Sequence, residues 1–172
     1  MTKSVEVIVE DEGWKEIDGY SDWNKSLDVL FQETKKKKYQ GNKRCWIGLL
    51  LTDDARIKIL NRNFRNINEP TNVLSFPEYE AEPLDKIDMT AETAEIFLGD
   101  IAMSQTQIMR ECKEYGLKFF DRCSHLLVHG ILHLFGEDHL EPKEQREMES
   151  MEIDILEKFG ISNPYVLEGD KK

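Results

Sequence analysis

The chain has 172 residues, a formal net charge of −11 and 40% hydrophobic residues, an ordinary balance for one folded domain with a real core, so residues 1–172 are expected to form a single domain. No apolar run approaches the ~20 residues needed to span a bilayer, and the N-terminal MTKSVEVIVEDEG carries charges where a signal peptide needs an apolar core; a cytoplasmic protein with no membrane partner is expected. Cys45, Cys112 and Cys123 are odd in number and form no C-x-x-C pair, which argues for reduced packing residues and against a disulfide framework.

Ser4 to Val9, with Val5, Val7 and Val9 alternating, reads as a strand. Asp22 to Lys35 follows as a helix with Trp23, Leu27, Leu30 and Phe31 on its apolar face, and the lysine run suits its C-terminal end. Cys45 to Leu51 reads as a buried strand, and Thr52 as the N-cap of a helix from Asp53 to about Phe64 with Ile57 and Leu60 facing inward. Val73 to Phe76 is a short strand stopped by Pro77, and the acidic stretch Glu78 to Glu95 a mobile loop. Ile96 to Met103 supplies another strand, interrupted at Gly99-Asp100, and Ser104 to Tyr115 a helix closed by Gly116. Asp121 to Phe135 is apolar on nearly every side and therefore reads as a buried central helix, and Lys143 to Lys158 as an amphipathic one with Met148, Met151 and Ile155 on one stripe. Mixed strands followed by a run of helices indicate an α+β fold, a small mixed β-sheet packed with helices.

Charge is laid unevenly along the chain. Residues 35 to 65 hold ten Lys or Arg against two acids, Asp53 and Asp54, so this segment is +8 and the remainder −19. A local basic face on an acidic protein can attract phosphates, because screening limits each charge to about 8–10 Å at physiological salt. A solvated helix end and loop would have the same composition.

The stretch VHGILHLFGEDH, Val128 to His139, places three of the four histidines in an apolar helix-like segment. His129 and His133 are four residues apart and project from one helix face one turn apart, and Gly136 lets the chain leave the helix so that His139 can swing back. His, His at +4, Gly at +7 and His at +10 is the spacing of the metzincin zinc motif. Three imidazoles and an open position suit one zinc ion per chain better than magnesium or calcium, and such an ion acidifies water near neutral pH. The peptidases with this spacing carry a general-base Glu directly after the first His, whereas this chain has Gly130, so a different substrate or base is expected.

The pieces LNRNFRNINEPTNVLSFP, LGDI, VHGILHLFGEDH and Asn163-Pro164-Tyr165 together resemble the YbeY endoribonucleases over roughly Leu49 to Tyr165. The resemblance implies a single-strand-specific, metal-dependent endoribonuclease acting in ribosomal RNA processing and ribosome quality control, with ribosomal or other single-stranded RNA and small-subunit ribosomal proteins as partners. It implies His129, His133 and His139 as zinc ligands and Arg65 as the functional arginine, whose guanidinium suits a phosphodiester because it binds phosphate bidentately. On sequence alone Arg65 reads as a surface salt bridge with Glu69 or a neighbour. The chain departs from the family at Glu137, commonly Tyr, and at Asn72, commonly Asp. His125 reads as hydrogen-bonded to a neighbouring strand or as a proton shuttle; Asp100, Asp138 and Ser75 are candidates to orient the ligand imidazoles, and Met148 and Met151 to underlie the metal. Two other readings stay open: a zinc hydrolase of another substrate, and a non-catalytic ribosome-associated RNA-binding protein.

Overall fold

Ten elements alternate along the chain in the computed structural model, which describes residues 3–79, 84 and 95–166: β1 (Val5–Val9), α1 (Gly13–Glu16), α2 (Tyr20–Lys38), β2 (Arg44–Thr52), α3 (Asp54–Arg65), β3 (Val73–Pro77), β4 (Glu95–Ser104), α4 (Gln105–Tyr115), α5 (Phe119–Leu134) and α6 (Pro142–Glu157). The strands form one mixed sheet in the order β1-β2-β4-β3, with β1 and β4 parallel to β2 and β3 antiparallel to β4. This is the α+β architecture expected.

Strand periodicity separates the two faces of the sheet. Cys45, Ile47, Leu49 and Leu51 of β2, with Ile101 and Met103 of β4, join the main core beneath α2 and α5. Ala102 and Leu74 turn the other way and, with Leu50, Leu60 and Phe76, pack around the inward Ile57 of α3. α5 is buried along most of its length, from Cys123 to Leu134. Its central place holds for a physical reason: it packs on β3 and β4 and against both α2 and α6.

Gly130 of α5 faces the sheet. A Cβ there would lie 2.9 Å from Ile101 Cδ1 and 3.1 Å from Ser75 Oγ, so a side chain at the position corresponding to the metzincin base would press on both.

Some local expectations are corrected. Thr52 does not cap α3: it ends β2 and bonds Glu10, while the Asp53 carboxylate accepts from Arg56 N at 2.9 Å. Asp is as good a cap as Thr, and the strand ladder holds Thr52 in place. The one-turn α1 was not anticipated, since four residues carry no period; it is anchored by buried Trp14, whose indole N–H donates to Thr52 O. The acidic stretch expected to be a mobile loop, Glu78 to Glu95, lies largely outside the described residues, and Glu95 itself opens β4. Cys45, Cys112 and Cys123 are free thiols, and burial pushes all three up from the usual thiol range.

Candidate metal centre and its cleft

His129 and His133 lie one turn apart on α5 and meet edge to face, with ring centroids 4.6 Å apart. After Phe135 the chain reverses at Gly136, whose φ of 92° is open to glycine and strained for other residues. That reversal brings the ring of His139 to 5.4 Å from His129 and 5.1 Å from His133. One ring nitrogen from each histidine lies within 4.8 Å of the others, a donor set able to hold a metal ion.

Hydrogen bonds behind the rings decide which nitrogens face inward. His133 Nδ1 lies 2.8 Å from the carbonyl of Glu137, and His129 Nδ1 lies 2.7 Å from Glu152 Oε1. Each ring therefore donates through Nδ1 and turns its Nε2 lone pair inward, where the two Nε2 atoms sit 3.0 Å apart. Two facing lone pairs repel unless a cation lies between them, and a tetrahedral zinc site with bonds of about 2.0–2.1 Å spaces its nitrogens at about 3.3 Å. The residues fit the ion. Burial, followed by the neighbouring His129, lowers the His133 pKa to about 4, so this imidazole is neutral at physiological pH.

Glu152 of α6 is fully buried and was missed in the sequence. It bonds His129 through Oε1; Oε2 lies 2.8 Å from His125 Nε2 and also accepts from the Tyr165 hydroxyl. Burial alone would raise its pKa, but the hydrogen bonds from His125 and His129 outweigh it and hold it at about 2. A signal was present: Met148, Glu152 and Ile155 lie at helical spacing on one buried stripe, so an acid stands where an apolar residue is expected.

The other expected orienting groups do not take that role. His125 bonds α6, not a strand. Asp138 accepts from the His139 backbone N, and Ser75 Oγ bonds the Gly130 carbonyl. Asp100 faces Gly48 on the sheet, where burial followed by Glu78 raises its pKa. Met148 is buried beside His129 and His139 in a hollow of about 270 Å³ shared with Glu152 and Tyr165.

Arg65 is the last residue of α3 and is exposed. It lines a cleft of about 550 Å³ together with Ser75 and Pro77 of β3 and with His133, Asp138 and His139. It makes no salt bridge with Glu69 or with any other described residue. Lys58, Arg62 and Arg65 occupy positions i, i+4 and i+7 of α3, all exposed and none ion-paired among the described residues. By contrast Lys36, Lys37, Lys38, Arg44 and Arg56 pair with Glu33, Asp154, Glu137, Glu95 and Glu10, so half of the ten basic residues between 35 and 65 are matched by an acid. Glu137 and Asn72 also have partners: Glu137 holds Lys38, and Asn72 Nδ2 donates to Glu111 at 2.8 Å.

Comparison with known proteins follows the same lines. A family model described as endoribonuclease YbeY matches residues 9–160. A relative named endoribonuclease YbeY from Parvibaculum lavamentivorans is 39% identical over 147 residues, 84% of this chain and 80% of its own length. Another of that name, from Agrobacterium fabrum, is 36% identical over 164 residues, 94% of each chain. The solution structure of a Thermotoga maritima protein superposes with a TM-score of 0.60 at 25% identity, covering 98% of this chain and 99% of the other.

Proposed function

Because this chain belongs to the endoribonuclease YbeY family, we propose that it is a metal-dependent hydrolase that cuts single-stranded RNA during ribosomal RNA maturation in the cytoplasm. His129, His133 and His139 hold one zinc ion per chain, and Arg65 holds the scissile phosphate. The single domain carries the whole site, and small-subunit ribosomal proteins are neighbours of the substrate.

The observation that carries this reading is an exposed guanidinium, without an ion pair among the described residues, that lines the same cleft as two of the three histidines. Zinc bound there supplies a Lewis acid and lowers the pKa of water. The remaining work falls to the chain. Arg65 grips two phosphate oxygens and stabilises the charge that grows on them as the bond to the leaving oxygen breaks. Arg62 and Lys58 extend that positive track one and two turns back along α3, suited to the backbone of a strand approaching the cleft. The Glu137 carbonyl keeps the His133 proton on Nδ1, away from the site.

Peptide hydrolysis by the metzincin route is disfavoured, since Gly130 offers no base. The test is a substrate comparison. Purified zinc-loaded protein is incubated with single-stranded ribosomal RNA fragments, the same fragments annealed to complements, and a peptide library. Cleavage of the single strands is expected; peptide cleavage without RNA cleavage would move the hydrolase-of-another-substrate reading ahead, and binding without cleavage the binding-protein reading.

A further inference from the structure

A fully buried acid in contact with a candidate metal ligand needs a reason to be there, and the proposed reaction uses Glu152 nowhere. We propose that Glu152 is a positioning residue that sets the proton on His129, as the last link of a hydrogen-bond chain whose direction is imposed from Arg122. The assignment depends on His129, His133 and His139 being the metal ligands.

Donor counting gives the direction. A guanidinium has donors only, so Arg122 Nη1, 2.9 Å from His125 Nδ1, must donate to it. His125 then carries its proton on Nε2 and donates to Glu152 Oε2 at 2.8 Å. The same oxygen accepts from the Tyr165 hydroxyl. Oε1 is left to accept from His129 Nδ1 at 2.7 Å, which leaves the His129 lone pair on Nε2, facing His133.

The origin of the chain is anchored. Arg122 Nε and Nη2 each lie 2.9 Å from Glu111 Oε2, and Glu111 Oε1 accepts from Asn72 at 2.8 Å. Arg122 therefore cannot swing away without breaking an ion pair between α4 and α5. Every link from Asn72 to His129 has one possible donor.

A brace and a positioning residue respond differently to Glu152→Gln, which keeps size and shape but exchanges one oxygen for an NH2 group. The Oε2 side meets two donors, His125 and Tyr165, and Arg122 prevents His125 from reversing. The amide oxygen must therefore turn to that side and the NH2 to His129. His129 can accept only by moving its proton to Nε2, the atom facing the metal position.

Nitrogen NMR of the imidazoles in metal-free wild-type protein at pH 8 tests the chain without a variant. His129 protonated on Nδ1 and His125 on Nε2 are expected; His129 protonated on Nε2 in the wild type overturns the proposal. In Glu152→Gln the His129 proton should appear on Nε2, and zinc affinity measured by chelator competition should fall 10- to 100-fold with the circular dichroism spectrum unchanged. A folded variant with wild-type zinc affinity overturns it. If Glu152→Gln fails to fold, the wild-type tautomers decide. If wild-type protein binds no zinc, the ligand assignment fails, and the tautomers still decide whether Glu152 directs the His129 proton.

Discussion

Arg65, at the C-terminal end of α3, lines the same cleft as His139, in the loop beyond α5, although the two lie far apart in sequence. Arg65 is exposed and contributes nothing to the core. Arg65→Ala should therefore leave thermal stability and metal content at wild-type levels while RNA cleavage falls on the order of a hundredfold, the usual loss for one electrostatic stabiliser. Single-turnover kinetics beside elemental analysis checks this, and cleavage at the parent rate with metal bound would separate Arg65 from the reaction.

His133→Ala removes one of the facing Nε2 donors and should empty the site, whereas His125→Ala should retain the ion, because among the described residues His125 is linked to His129 through Glu152 and does not itself join the histidine group. Metal content of untagged protein, expected near one zinc per chain for the wild type, separates the two. Retention of metal by His133→Ala would exclude it as a ligand.

Acid should destabilise the metal-free protein in two overlapping windows. His133 has a folded pKa of about 4 against an ordinary 6.5, so it binds a proton more readily unfolded; stability falls as pH drops from 6.5 through 4. Glu152, at about 2 against an ordinary 4.5, contributes stability that is present above 4.5 and lost towards pH 2. Urea midpoints measured between pH 8 and pH 3 should decline throughout the range below 6.5. A flat profile from 6.5 to 4 would be incompatible with a buried neutral His133.

RNA affinity should fall with salt, and the α3 stripe should carry that dependence. Replacing Lys58 and Arg62 by Ala should reduce the slope of log affinity against log salt by about 0.7 for each phosphate of the single strand that is no longer neutralised. Replacing Lys36 and Lys37, each paired with an acid, should leave the slope unchanged. Fluorescence anisotropy over a salt series measures both, and the reverse ranking would place the strand on the C-terminal end of α2.

Gly130→Ala should cost about 1–3 kcal/mol, since the new methyl would press on Ile101 and Ser75 in a packed layer. Calorimetry should show a lowered Tm. An unchanged Tm would mean that α5 can lift from the sheet.

The parts of this protein legible in its sequence are those governed by local geometry. Two histidines four residues apart share a helix face because the helix turns every 3.6 residues, and Gly136 permits the reversal because it lacks a Cβ. Strand alternation and apolar stripes similarly marked most elements to within a few residues of their ends. Short and balanced features escaped: α1 has too few residues for a period, and Thr52 and Asp53 are equally good caps until the β2 ladder claims one of them. Tertiary packing decided the rest. Whether a lysine is a free charge or one half of an ion pair depends on which acid another element brings opposite it, as Asp154 of α6 does for Lys37 of α2. Glu152 reaches His129, and Arg65 reaches the histidine cleft, only through the docking of α6 on α5 and of α3 beside β4. That docking is the summed effect of many buried side chains, and no single spacing in the sequence encodes it.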